Sequence, residues 1–188
     1  MKRYILFNFF LLSLMAGSCQ SQGSRSQALY ERENFKQYWY AGKAEINAYN
    51  LVQSRYGEPR NGKAVLIFVT EDFSKSKQVK LDEPAKAGSD KVTVLKLNAT
   101  KKFVTGIYPY SMMQSVFTPV VRKDHAHTLK TSMSSQEWCG HVFTQMNLRG
   151  NEFDVHSYSY FEQECDADFS LPKALMEDED FGVQIKRN

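Results

Sequence analysis

Residues Gln136–Phe161 read QEWCGHVFTQMNLRGNEFDVHSYSYF. The stretch alternates in character with a period of two and is broken once, at Leu148-Arg149-Gly150-Asn151. It therefore predicts two β-strands joined by a turn, with Gly150 supplying the positive φ the turn needs. If Leu148 faces Asn151, His141 lies opposite Tyr158, Phe143 opposite His156 and Cys139 opposite Tyr160. One face then carries Cys139, His141, Phe143, His156, Tyr158 and Tyr160. The other carries Trp138, Val142, Met146, Phe153, Val155 and Phe161, which is apolar and expected to be core. The first face gathers aromatic, thiol and imidazole groups and is the candidate ligand face.

Working outward, the same period marks further strands. Ala64-Val65-Leu66-Ile67-Phe68-Val69-Thr70 is a continuous apolar run, expected to be buried on both faces near the middle of a sheet and paired antiparallel with the strand before it. That earlier strand is read over Trp39–Arg55, although Ala, Glu and Leu between Ala44 and Gln53 also suit a helix. Tyr56–Gly62, with Gly57, Pro59 and Gly62, reads as a loop. Gln78–Leu81 offers a short strand. Lys91–Ala99 alternates, and Ile107–Val121 is aromatic and β-branched, with Pro109 and Pro119 marking its ends. Thr128–Ser135 leads into the hairpin. Leu29–Tyr38 has a weak helical pattern. Gln163–Asp168 is acidic, and Phe169–Asn188 is expected to be a short helix or a loose coil. The fold class is mainly β: a curved antiparallel sheet, meander or half-barrel, with a short N-terminal helix and a loose or helical C-terminal tail.

The N-terminus carries the most specific signal. Lys2 and Arg3 precede an apolar run, Tyr4–Met15, and then Ala16-Gly17-Ser18-Cys19. This is the pattern of a secretory signal peptide over residues 1–18, too short to persist as a membrane span. Small residues before a cysteine resemble the lipobox of bacterial lipoproteins, in which the cysteine is lipidated and becomes the new N-terminus. The sequence departs from that family at Ala16, where leucine is favoured, and Ala16-Gly17-Ser18 also suits ordinary signal peptidase. The resemblance implies lipidation at Cys19. Residues 19–28 are polar, a tether to a single domain over 29–188, roughly 160 residues with enough chain to bury a core.

Removing Lys2 and Arg3 from a formal charge of +3 leaves about +1, so composition favours no nucleic-acid partner. Of the three cysteines, Cys139 and Cys165 remain to form a disulfide in an oxidising compartment if the chain reverses after Phe161. Cys139 and His141 stand two apart on one strand and could serve a nucleophilic enzyme, but no oxyanion donor or orienting acid can be assigned. Asp124, His125 and His127 have ligand-like spacing without the paired spacing of a zinc motif, so no metal and no cofactor are expected. Asn98-Ala99-Thr100 fits a glycosylation acceptor by chance. Phosphate loops, dinucleotide fingerprints, serine elbows and paired carboxylates are missing from the sequence.

Three blocks carry a wider resemblance: Tyr38-Trp39-Tyr40-Ala41-Gly42-Lys43-Ala44-Glu45; Asn98-Ala99-Thr100-Lys101-Lys102-Phe103 with Thr105-Gly106-Ile107-Tyr108-Pro109-Tyr110-Ser111; and Gln136-Glu137-Trp138-Cys139-Gly140-His141-Val142. They resemble a group of bacterial lipoproteins commonly labelled "septum formation inhibitor Maf". Genuine Maf proteins are similar to cytosolic α/β nucleotide pyrophosphatases, whose catalytic residues have no counterpart here. The resemblance therefore implies an envelope lipoprotein and no activity. Members of the group run longer, which implies a further C-terminal sheet segment and an unpaired edge near His156–Phe161. The expected function is that of an exported, membrane-anchored, non-enzymatic envelope protein, binding an apolar ligand or lipid on a concave sheet face. A structural or protein-interaction module and a Cys/His enzyme are the alternatives.

Overall fold

The computed structural model describes residues 33–121 and 127–173. The signal segment, Cys19, the tether, Asp124, His125 and the tail beyond residue 173 lie outside the described residues. One helix, α1 (Glu33–Trp39), precedes eight strands: β1 (Glu45–Arg55), β2 (Glu58–Ser74), β3 (Lys91–Thr105), β4 (Tyr108–Pro119), β5 (Lys130–Glu137), β6 (Gly140–Arg149), β7 (Glu152–Ser159) and β8 (Ala167–Pro172). They form one unclosed antiparallel meander in which each strand pairs with its neighbours in sequence. The fold is mainly β. Among the described residues no helix is long and apolar enough to cross a membrane.

α1 has Glu33 in its first turn and Lys36 in its last, matching the helix dipole. It drives Trp39 into the sheet against Phe68, Leu95, Leu97, Val116 and Val120, with Phe35, Leu66 and Ala99 around them. Phe68, Leu97 and Val116 are register partners across β2, β3 and β4, so the indole covers one row of one face. Thr70 donates its hydroxyl to the Trp39 carbonyl. The first strand consequently starts at Glu45, not at Trp39. Trp39 ends the helix, and Gly42, at φ +69°, turns the chain into β1. The helix alternative for Ala44–Gln53 is not what forms.

The loop reading of Tyr56–Gly62 gives way to a two-residue turn, Tyr56-Gly57, both at positive φ as a type I′ turn requires. β2 begins at once, and Pro59 is tolerated because only β1 lies beside it; pairing with β3 starts at Gly62. β2 is second from the edge rather than central, and Ala64–Ile67 are half-buried rather than enclosed. At its far end the sheet is covered on both sides. The adjacent residues Val94 and Leu95 point to opposite faces and are both fully buried. Phe73 and Phe117 stack at 5.1 Å beside Val94, with Leu129 and Leu148 packed against them.

The β2–β3 connection, residues 75–90, provides that second cover. Gln78 is 1% exposed and sits at φ +54°, strained for a side chain with a Cβ. Its Nε2 donates to the Leu148 carbonyl at 2.6 Å, and its Oε1 accepts from Asn147 Nδ2 at 2.6 Å. Its N–H donates to the Ser74 carbonyl at 2.9 Å, and Lys130 Nζ donates to its carbonyl at 3.3 Å. Every polar group of a buried residue is thereby satisfied, and the loop is fixed across the ends of β5 and β6. The expected short strand at Gln78–Leu81 is a single bridge, Phe73 to Lys80. Asp90 anchors the other end of the loop, accepting from Ser74 Oγ at 2.5 Å and from the Ser76 N–H at 2.8 Å. These bonds, Ser74 first, hold its carboxyl below the ordinary value.

β8 was not foreseen. The acidic stretch before it reverses the chain, since Glu164 accepts from Ser159 Oγ at 2.6 Å and Asp166 from the Ser159 N–H at 3.1 Å. Ala167–Pro172 then pairs along β7 from Ser157 to Glu152. That part of the acidic and tail region is strand, not helix or coil, and most of β7 has a partner on both sides.

Replacing Gln78 with alanine removes the partners of the buried Asn147 Nδ2 and of the Leu148 carbonyl, while Gln145 still donates to Asn147 Oδ1. Gln78→Ala should lower stability by about 2–4 kcal/mol, read by urea denaturation, the range for two orphaned polar groups.

Candidate functional site: an aromatic rim at one end of the sheet

The hairpin over Gln136–Phe161 differs from its expected form in two respects. Its turn is Gly150-Asn151, with Arg149 opposite Glu152, so Phe143 meets Tyr158 and Gln145 meets His156. Centring the turn on Arg149-Gly150 in the tight type I′ form would ask for positive φ at arginine; starting it at Gly150, φ +62°, asks for it only at glycine. The offset is two residues, so the sets sharing a face are unchanged. Phe153 and Val155 are buried, with Val142 and Met146 half-buried beside them. His141, Phe143, His156 and Tyr158 are exposed on the other side, with Tyr160 just beyond the strand end.

The second difference is a chain reversal at Trp138-Cys139, where Glu137 pairs with Gly140. Trp138 and Cys139 belong to a turn, not to a strand. Trp138 is therefore exposed, contrary to its expected burial, and Cys139 stands outside the aromatic ladder. Gly140 is needed where it is: a Cβ there would meet the Tyr160 ring at 2.5 Å.

Because the meander alternates direction, four reversals lie at one end of the sheet: Tyr56-Gly57, Gly106-Ile107, Trp138-Cys139 and the connection from Tyr160 to Asp166. Successive reversals are two strand widths apart, about 10 Å. Each presents one large side chain to water: Tyr56 at 70% exposure, Ile107 at 84%, Trp138 at 65% and Tyr160 at 75%.

Behind these tips the rings are organised. Phe103 stacks on Tyr110 at 4.7 Å, Tyr110 lies 5.1 Å from Tyr108, and Tyr108 lies 5.5 Å from Trp138. The Arg55 guanidinium sits 4.7 Å from the Tyr56 ring centre and 5.1 Å from that of Tyr110. Tyr56 and Tyr110 share a hydrogen bond of 3.0 Å between their hydroxyls. That bond, followed by Arg55, lowers the Tyr110 phenol. The Tyr108 hydroxyl accepts from the Cys139 N–H at 2.6 Å and donates to Glu137 Oε2 at 3.2 Å. Removal from water, then the hydrogen bond with Cys139, raises its phenol well above the ordinary value, so it stays a neutral strut for the β5–β6 turn.

The outward ladder adjoins this rim. Phe143 and Tyr158 are direct partners, the Tyr160 N–H donates to the His141 carbonyl at 3.2 Å, and His156 Nδ1 lies 2.6 Å from Asp168 Oδ1 on β8. Among the described residues no hydrogen bond joins Cys139 to His141; Cys139 lies in the β5–β6 turn and His141 on β6. Cys139 and Cys165 are both exposed free thiols in separate turns, and the disulfide considered between them is not formed. Among the described residues no three His, Cys, Asp or Glu side chains converge as a metal site. The arrangement offers apolar and aromatic surface with fixed hydroxyls, which suits binding. The sequence reading missed Arg55, Tyr56, Phe103, Ile107, Tyr108 and Tyr110. The available signal was an apolar residue placed inside or beside each alternate turn, where polar residues are usual.

Comparison with protein-family models, with curated proteins and with solved structures finds no match to this chain.

The two tryptophans should respond oppositely to truncation. Trp39→Ala should cost about 3–5 kcal/mol, as for a buried large aromatic. Trp138→Ala should cost less than about 1 kcal/mol, as for a surface side chain. Denaturation of the two variants under one set of conditions compares them.

Proposed function

We propose that this protein is an exported envelope lipoprotein, anchored to a bacterial membrane through Cys19 and facing the periplasm or the cell surface, whose β domain is a non-enzymatic lipid-binding module. The export signal is Lys2 to Cys19. The observation that carries the binding assignment is the rim: four alternate turns, each with one large apolar or amphipathic side chain held out to water. Scattered apolar residues are ordinary on a protein surface, but a row of them at one end is not. Tyrosine and tryptophan suit a boundary where one side is apolar and the other wet. The exposed Phe143–Tyr158 pair extends that surface along β6 and β7. On this reading the ligand surface is the rim together with the outward ladder, which carries the expected residues His141, Phe143, His156, Tyr158 and Tyr160.

Two measurements test the reading. Cys19→Ala should leave an uncleaved precursor in the membrane, because the lipoprotein peptidase acts on the modified cysteine; a correctly trimmed soluble product would overturn lipid anchoring. For the rim, the full chain is reconstituted in phosphatidylcholine vesicles with brominated acyl chains. Its tryptophan emission should be quenched through Trp138, and Trp138→Phe should abolish that quenching, since Trp39 is buried. Emission equal in brominated and ordinary vesicles would overturn lipid binding at the rim.

A further inference from the structure

The two edges of the sheet are built differently. β8 has six residues, carries Asp168 and ends in Pro172, features that discourage further pairing. β1 has eleven residues, EINAYNLVQSR, with no proline and no lysine. Its register with β2 runs unbroken from Glu45–Phe68 to Arg55–Glu58, without a bulge. Between Glu45 and Arg55 it carries no charge, and Ile46 and Val52 on its outer face are mostly exposed. Among the described residues nothing pairs with its free side.

The direction of the free backbone groups follows from the turn. In a two-residue hairpin the flanking pair, here Arg55 and Glu58, exchanges hydrogen bonds, and the pattern alternates from there. Odd-numbered residues of β1 therefore bond to β2. Ile46, Ala48, Asn50, Val52 and Ser54 direct their N–H and C=O groups outward.

We propose that β1 pairs antiparallel with β1 of a second copy of this chain, about a two-fold axis at Asn50, giving one sheet continuous across two chains. The strand is complementary to its own reverse. On one face Glu45 meets Arg55 of the second copy, Asn47 meets Gln53, and Tyr49 meets Leu51. On the other, Ala48 meets Val52, Ile46 meets Ser54 and Asn50 meets itself. Glu45 and Arg55 stand opposite one another at both ends, the guanidinium turning from the Tyr56 and Tyr110 rings to meet the carboxylate, and the outward backbone groups fall opposite one another, forming about ten hydrogen bonds. A one-residue slip misaligns those groups. A two-residue slip leaves one charge opposite an amide and the other beyond the end of the partner strand. Hydrogen bonds from Tyr38 and Asn47, at 2.8 Å each, position the Glu45 carboxylate at the first residue of the strand. The contact is isologous and closes at two chains, with the blunted β8 edges outermost. The pairing does not depend on the lipid-binding reading.

The test is sedimentation of the full chain in mild detergent with reductant, which prevents linkage through Cys139 or Cys165. The wild-type chain should be a concentration-dependent dimer. Glu45→Arg and Arg55→Glu should each weaken dimerisation about tenfold by placing like charges opposite one another. Combining the two reversals should restore it. Asn50→Pro should abolish the dimer while leaving the β1–β2 ladder folded, because the N–H it removes points away from β2; circular dichroism checks the fold. A wild-type monomer across the whole concentration series overturns the proposal. So does a dimer that survives Asn50→Pro in a folded chain, or a double reversal that associates no better than the single ones.

Discussion

Gln78 is the residue on which the closed end of this structure depends. Neighbouring strands hold one another by ladder bonds, but a meander has nothing in its topology to tie strands several positions apart. Gln78 supplies such a tie, carrying the β2–β3 connection across to Leu148 and Asn147 on β6. Its positive φ is the cost of aiming both its amide and its backbone into that position, and the bonds to Ser74 and Lys130 stabilise it there. The loop thus closes the end of the sheet at which Phe73, Val94 and Phe117 pack together.

The two ends of the sheet are consequently unlike. One end is covered on both faces, by Trp39 of α1 and by the loop around Gln78. The other is a series of tight turns with no covering element among the described residues. Its most exposed tip is not demanded by packing: Ile107, at 84% exposure, could be polar without altering the ladders beneath it. The rings further in, Tyr108 and Tyr110, do have structural work, since they fix the β5–β6 turn and the Arg55 side chain. This separation of supporting rings from exposed tips gives the rim its rigidity.

Much of the sheet was legible in the sequence because alternation is a strong signal where one face is buried. Lys91–Ala99 and the faces of the Gln136–Phe161 hairpin followed from it, while Ala64–Thr70 was legible as a strand from its continuous β-branched apolar run but not in its burial. What escaped detection had local chemistry that argues against its structure. Trp138-Cys139 is a turn without a turn-forming residue, held from outside by the Tyr108 hydroxyl. Pro59 lies within a strand because its free side has no neighbour at that point. β8 follows a run of acids that reads as solvated coil, although two of those acids bind Ser159 and reverse the chain. Gln78 carried no signal at all, since its partners lie some seventy residues downstream. The rim was invisible for a related reason: its members are spaced along the whole chain and meet only through topology.

Strand order has a consequence for how the molecule forms. A chain emerging N-terminus first can pair each strand with the one just completed, so most contacts are short in sequence for a β protein, and assembly can proceed without waiting for the end. At each step the newest strand is a temporary margin that the following strand covers. The bond from Gln78 to β6 runs against this order. The loop that carries it is complete long before Leu148 exists, and must stay open until the sixth strand has joined. The molecule would therefore grow as a pliable ribbon and stiffen late, in one event, when that glutamine finds its partners.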